Sequence, residues 1–132
     1  MLTHRPLTLP CGDTLLREIR YDGRLNCAMT HDCTTTTGLH CEMYGSGNPI
    51  LCLHGLGAST YSWREFREPL SKEHKLILID FKGFGASPKP KDKHYAIEEH
   101  ADFIYRFIQE YDLRNLTLIG NSFGGAVSLL VA

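Results

Sequence analysis

A serine between two glycines is the residue of this sequence whose setting points most directly to chemistry. Ser122 stands in the segment Gly120-Asn121-Ser122-Phe123-Gly124, directly after the apolar run 116–119 and directly before a stretch that favours a helix. A chain that turns sharply from a strand into a helix has little space for side chains beside the turn, so glycines there let the serine hydroxyl project outwards. The pattern predicts that Ser122 is an activated nucleophile.

A serine hydroxyl is a weak nucleophile by itself, so other groups must activate it. A histidine has to accept its proton, a carboxylate has to orient that histidine, and two N–H groups have to bind the oxyanion that forms. The backbone N–H groups of Phe123, at the predicted helix start, and of Leu56, in a glycine-flanked loop, are the candidate oxyanion donors. Gly57 is an alternative to Leu56. For Ser122 the alternative role is that of a helix-capping residue.

The elements that must position these residues follow from the hydrophobic pattern. Buried strands are predicted at 50–53, 76–79 and 116–119, because each is a short continuous apolar run. Between and after them, apolar residues recur at helical spacing over 61–70 and 97–111, and a third helix is expected from residue 123 onward. A short alternating segment at 39–43 and the turn that follows it predict a hairpin, or an adjacent strand pair, with 50–53.

Continuous apolar strands that alternate with amphipathic helices predict a doubly wound, mostly parallel α/β sheet with both faces covered. In such sheets the functional crevice lies beyond the carboxyl ends of the strands. Those ends carry His54, Asp80 and Ser122, so we expect their three loops to converge on one edge. Asp80 is expected to fix a tight turn and not to transfer protons.

Three motifs in this order resemble the α/β-hydrolase family, in its serine-nucleophile branch: His54-Gly55-Leu56-Gly57, then Asp80 to Ser87, then Gly120 to Gly125. The resemblance implies an esterase-like hydrolase that acts on a small-molecule ester or a related acyl substrate. For His54 it implies that the side chain shapes the oxyanion loop and does not act as the base. It also predicts the domain organisation: a poorly patterned N-terminal segment, 1–37, is followed by the N-terminal half of an α/β-hydrolase domain, 38–132, which ends just after the nucleophile helix. Haloalkane dehalogenases and epoxide hydrolases of this fold place an aspartate at the nucleophile position, so Ser122 argues against those activities.

The resemblance also shows what the sequence lacks. In that family the acid and the histidine of the triad come after the nucleophile, and no residue follows Ala132 to match either. The expectation is therefore a truncated chain that is inactive alone. Its last strand should present an uncovered sheet edge, which could support self-association. A non-catalytic remnant or dimerising module of the same fold is the alternative function.

The amino-acid composition of the chain limits the kinds of partner that it can bind. The chain has 132 residues and a formal net charge of −1, so it offers no basic surface for nucleic acid and no polybasic anchor for a membrane. No apolar run approaches the roughly 18 residues that would span a bilayer, and a cytoplasmic protein is expected. Five cysteines, odd in number and without Cys-x-x-Cys spacing, favour reduced thiols and argue against a metal site. The motifs imply no cofactor.

Overall fold

The computed structural model describes the backbone of residues 31–132 and the side chains of residues 35–132. Within this range the elements are β1 (His31–Thr34), β2 (His40–Tyr44), β3 (Pro49–Leu53), α1 (Arg64–Ser71), β4 (Lys75–Ile79), α2 (Ile97–Glu110), β5 (Thr117–Gly120) and α3 (Phe123–Val131). A 3-10 helix, Thr60–Trp63, leads into α1. None of the described helices is long and apolar enough to cross a membrane.

The strands form one sheet in the order β1-β2-β4-β3-β5. β3 pairs in parallel with β4 and β5, whereas β2 pairs antiparallel with β1 and β4. Among the described strands, β2 therefore runs against the others, and the mostly parallel α/β sheet expected from the sequence is confirmed. The expected pairing of the 39–43 segment with the 50–53 strand is wrong, because β4 lies between β2 and β3.

Alternate residues of the central strands supply two hydrophobic cores. Leu51 and Leu53 of β3 face a core that also contains buried side chains of α2 and α3. Ile50 and Cys52 face the opposite core, in which Trp63 covers the sheet. Because both faces are covered, each strand can be apolar at every position, and this explains why the sequence shows continuous runs and not alternation.

Cys41 and Cys52 differ in oxidation state. Cys41 of β2 is disulfide-bonded, so the expectation of reduced thiols is wrong at this position. In the register of the two strands Cys41 stands opposite Cys33 of β1, a relation that spacing along the chain does not reveal. Cys52 is free and buried, and burial raises the pKa of its thiol to about 12. A disulfide is unusual in the cytoplasm, and the cytoplasmic location stays a prediction.

Candidate active site

The carboxyl ends of β3, β4 and β5 lie side by side. Leu53, the last residue of β3, is in register with Ile79 of β4 and with Gly120 of β5. His54 and Asp80 therefore leave the sheet at the same edge at which β5 turns into α3. This edge is where ligands bind in open α/β sheets.

Ser122 occupies the turn between β5 and α3 in a conformation that serine rarely adopts. Its φ is 51° and its ψ is −112°, so the backbone lies in the left-handed half of conformational space that favours glycine. The side chain makes no capping hydrogen bond to α3, and the residue is exposed. The alternative role as a helix cap is therefore not supported. The Asn121 N–H donates to the Leu53 carbonyl over 3.0 Å, which fixes the turn to the end of β3.

Close backbone packing explains the glycines around Ser122. A Cβ at Gly124 would lie 2.1 Å from the Leu53 carbonyl oxygen, and a Cβ at Gly120 would lie 2.4 Å from the backbone of Gly124. The first turn of α3 thus lies directly against β3. As a consequence Ser122 is next to the loop that follows β3, where a Cβ on Gly55 would lie 3.7 Å from the Cβ of Ser122.

Backbone N–H groups that lack a partner in the described part of the chain lie in the loop after β3 and at the start of α3. Those of Leu56 and Phe123 have no hydrogen-bond partner among the described residues. Phe123 is the first residue of α3, and the first N–H groups of a helix lack an internal partner and carry the positive end of its dipole. The Gly57 N–H also has no partner among the described residues. The hydrogen bonds alone therefore do not decide whether Leu56 or Gly57 is the second oxyanion donor.

His54 orients the peptide bond between Gly55 and Leu56. The Phe81 N–H donates to His54 Nε2 over 3.0 Å, so Nδ1 carries the ring proton and donates it to the Gly55 carbonyl over 2.7 Å. The carbonyl and N–H of a trans peptide point in opposite directions, and the Leu56 N–H therefore points away from the imidazole. Burial lowers the pKa of His54. With both ring nitrogens engaged in the neutral form, His54 is not placed to act as a general base.

Asp80 fixes the loops on both sides of the site. It is 2% exposed. Its Oδ1 accepts the Thr60 N–H over 2.7 Å. Its Oδ2 accepts the Ala86 N–H over 2.8 Å and lies 3.0 Å from His40 Nδ1. A Cβ on Gly85 would lie 2.2 Å from the carboxylate, so a side chain at Gly85 would displace Asp80. The carboxylate is thus used to hold the chain between β3 and α1 and the chain after β4.

Ser87, His40 and Asp80 combine the residue types of a catalytic triad but not its geometry. The Ser87 hydroxyl donates to the Asp80 carbonyl over 2.5 Å and accepts the backbone N–H of His40 over 2.9 Å. Ser87 is also buried. Because its hydroxyl contacts backbone groups and not an imidazole, this cluster closes a turn and does not form a nucleophile.

Known proteins resemble this chain in sequence and in fold. A sequence model of the alpha/beta hydrolase fold matches residues 48–132. The chain belongs to the alpha/beta hydrolase family. It is 35% identical over 91 residues to a 2-hydroxy-6-oxo-2,4-heptadienoate hydrolase of Pseudomonas putida, covering 67% of this chain and 33% of that protein. It is 36% identical over 91 residues to a haloalkane dehalogenase of Agrobacterium fabrum, covering 69% of this chain and 30% of that protein.

Solved structures agree with the family assignment. An esterase from Exiguobacterium antarcticum matches this alpha/beta hydrolase with a TM-score of 0.66 at 30% sequence identity, covering 74% of this chain and 37% of that one. An epoxide hydrolase from an endophytic Streptomyces matches with a TM-score of 0.68 at 26% identity, covering 77% of this chain and 32% of that one. The chain spans about a third of the length of these relatives.

The described part of this alpha/beta hydrolase also contains a charged cleft of about 330 Å³ beside α2, away from Ser122. Its basic groups already have partners. The Lys82 ammonium lies 2.8 Å from an Asp92 carboxylate oxygen, which lowers the pKa of Asp92, and Arg106 pairs with Asp102 over 2.8 Å. The Lys82–Asp92 pair lies within the loop after β4, and neither Lys82 nor Arg106 is left without a carboxylate partner.

Sequence reasoning missed two contributions to the site of this alpha/beta hydrolase. Asp80 was expected to shape its own loop, but its bond to Thr60 also links it to the chain before α1. His100 of α2 was assigned no role, although its ring packs against Phe123 with 5.2 Å between ring centroids. The signal for His100 is a histidine within the apolar stripe of α2, where an aliphatic residue would be expected.

Proposed function

We propose that the chain provides the nucleophile and the oxyanion hole of a serine hydrolase that acts on a carboxylic ester or a related acyl substrate. The observation that carries the proposal is the Ser122 turn, which holds an exposed serine at a φ of 51° next to N–H groups without a partner. An esterase among the similar structures supports an acyl substrate. A serine, and not an aspartate, at this position argues against the chemistry named for the dehalogenase relatives.

In the proposed reaction the Ser122 Oγ attacks the carbonyl carbon of the substrate while a base takes the hydroxyl proton. The electron pair of the carbonyl moves onto its oxygen, and the N–H groups of Leu56 and Phe123 bind the resulting oxyanion. When the carbonyl re-forms, the alcohol leaves with a proton, and water then hydrolyses the acyl group from Ser122. Loss of one oxyanion donor typically raises the barrier by about 3 to 4 kcal/mol.

The residues with described side chains, 35–132, supply no base for Ser122. No histidine in that range donates to or accepts a hydrogen bond from its hydroxyl, and His54 and Asp80 are engaged elsewhere. Serine enzymes that have lost their triad still retain about 10³- to 10⁴-fold catalysis over water from the oxyanion hole and binding. We therefore propose that the 132-residue chain alone acylates slowly and turns over poorly, with the base and the acid lying outside residues 35–132.

The proposal predicts selective covalent labelling of Ser122. We expect a fluorophosphonate probe to form a single adduct on the folded chain, because phosphorus attacked by Ser122 places a developing oxyanion near Leu56 and Phe123. Ser122→Ala should abolish the adduct. Intact-mass spectrometry followed by peptide mapping measures both results.

Ser128→Ala is the matched control, because Ser128 lies on the same helix and its hydroxyl donates to the Gly124 carbonyl over 2.8 Å. This variant should label like the unmodified chain. An adduct that survives in Ser122→Ala would contradict the proposal. A folded chain that forms no adduct would favour the non-catalytic module instead.

The second candidate function, a dimerising module, is favoured by the edge at β5. Within the described sheet β5 pairs only with β3, and an unpaired strand edge can bind a second copy of the chain. On the neighbouring helix Leu129 is 83% exposed and Leu130 is 56% exposed. Uncharged residues fill β5 from Thr117 to Gly120, so no lysine or proline blocks such pairing.

Self-association through this edge predicts a concentration-dependent mass. We expect size-exclusion chromatography with light scattering to show dimers or larger species for the unmodified chain and a shift to monomer for the double variant Leu129→Glu, Leu130→Glu. Tyr105→Glu, at a residue of α2 that is 53% exposed, should leave the mass unchanged. A monomer at all concentrations would exclude self-association, and equal masses for both variants would exclude the exposed leucines of α3 from the interface.

A further inference from the structure

His100 is a buried histidine with an unsatisfied ring. It is 2% exposed, and its Nδ1 has no hydrogen-bond partner among the described residues. A buried polar group without a partner typically costs about 1 to 3 kcal/mol, whereas phenylalanine or leucine would fill the same space without that penalty. Stability alone therefore does not account for an imidazole at this position of α2.

The neighbours of His100 connect it to the nucleophile turn. His100, Phe81 and Phe123 form three edge-to-face pairs, with centroids 5.3 Å apart for Phe81 and His100, 5.3 Å for Phe81 and Phe123, and 5.2 Å for His100 and Phe123. We name these three rings the aromatic triangle. It joins α2, the loop after β4 and the first residue of α3. Edge-to-face pairs depend on ring orientation, so the triangle constrains the position of Phe123.

We propose that His100 is a positioning residue for the Ser122 turn: its neutral ring holds Phe123 through the aromatic triangle, and protonation of that ring displaces the Phe123 amide. The meaning of this movement for an oxyanion hole rests on the function proposed above, because Phe123 supplies one of the two donors. The movement itself does not depend on that function.

Burial and the charges around His100 set the direction in which its pKa shifts. Burial, the Lys82 ammonium and His54 lower its pKa from the ordinary value of 6.5, and Glu99 on α2 opposes them. Residues Phe123–Val131 of α3 bring no charge, and Tyr95 faces the ring at 6.3 Å. Because the folded-state pKa lies below the unfolded one, the ring is neutral at pH 7, and the folded state loses stability relative to the unfolded state as the pH falls below 6.5.

Amide and ring resonances of the 132-residue chain test the proposal. In ¹⁵N-labelled protein titrated from pH 7.5 downward, the Phe123 amide should shift with the same midpoint as the His100 ring. Val127, buried on the same helix, serves as the internal reference and should not follow that midpoint. His100→Phe should retain the Phe123 amide position at pH 7.5 and lose the transition.

A second variant tests the proposal at constant pH, so that destabilisation of the chain by acid cannot affect the result. At a fixed pH of 7.5, His100→Leu keeps an apolar side chain but removes the ring, so the Phe123 amide should shift more than that of Val127. His74→Gln, at a partly exposed histidine between α1 and β4, should behave like the unmodified chain. The proposal is overturned if the Phe123 amide ignores the His100 titration, keeps its transition in His100→Phe, or is unmoved in His100→Leu. Ser122 labelling is measured separately, so failure of either proposal is distinguishable.

Discussion

Replacement of Gly124 by alanine should destabilise the chain by at least about 3 kcal/mol, the upper part of the range for overpacking a filled interior. The new Cβ would lie 2.1 Å from the carbonyl oxygen of Leu53, 2.5 Å from its carbonyl carbon and 2.7 Å from the His54 carbonyl oxygen. All three are backbone atoms of β3 or its first loop residue, so no side chain can rotate away. The helix must move off the sheet, and Ser122 moves with it.

Gly125→Ala provides a control one residue away. There the nearest atoms to a new Cβ are 3.4 Å and 3.7 Å distant, which is ordinary van der Waals contact, and alanine favours a helix over glycine by about 1 kcal/mol. We expect this variant to be neutral or slightly more stable. Urea unfolding followed by the fluorescence of Trp63, the single tryptophan, measures both variants. Equal midpoints for the two variants would show that α3 does not pack on β3 as described.

Asp80→Ala should cost about 3 to 5 kcal/mol of the free energy of unfolding, comparable with breaking a buried charged network. The substitution removes the acceptor of the Thr60 and Ala86 N–H groups. Each buried donor left without a partner costs about 1 to 3 kcal/mol. The lost contact with His40 costs less free energy, because the His40 side chain is 19% exposed and can bond to water. Asp80→Asn keeps the volume but turns one acceptor into a donor, so it should also be clearly destabilising.

Asp102→Ala is the matched control for the carboxylate. Asp102 pairs with Arg106 one helical turn away, and both side chains are more than half exposed, so its loss should change stability by no more than about 0.5 kcal/mol. Urea midpoints compare the two alanine variants, and hydrogen exchange locates the effect. Faster exchange at Thr60 and Ala86 in Asp80→Ala is expected. Unchanged exchange at those amides would show that Asp80 does not hold the two loops.

The fold could be predicted where local pattern determines it. The apolar runs at 50–53 and 76–79 became β3 and β4, because strands covered on both faces must be apolar throughout. The order of strands was harder, since pairing is decided by distant parts of the chain. The turn after Tyr44 suggested that β2 would lie beside β3, but β4 enters between them and pairs with both. The disulfide at Cys41 was missed for a different reason: the register of β1 on β2 sets Cys33 opposite Cys41, and cysteine spacing along the chain does not reveal that register.

In the candidate site, too, some residues could be predicted from the local sequence and others could not. Ser122 and its glycines stand out because a tight turn and close packing leave a signature in consecutive residues. The roles of His54 and Asp80 depend on partners far along the chain, such as Phe81 and Thr60, and no spacing rule identifies those partners. His100 was missed for a related reason: helical periodicity predicts that a position is buried but not which ring lies against it. The assignment of Leu56 and Phe123 as oxyanion donors stays a prediction.

The backbone angles of Ser122 bring the stability of the fold into conflict with its proposed activity. A residue with a Cβ held at a φ of 51° raises the free energy of the native state by about 1 to 3 kcal/mol, a penalty that glycine escapes. The most stable chain of this shape would therefore carry no hydroxyl at position 122. Thermostability engineering guided by unfolding measurements alone would favour the loss of the proposed nucleophile.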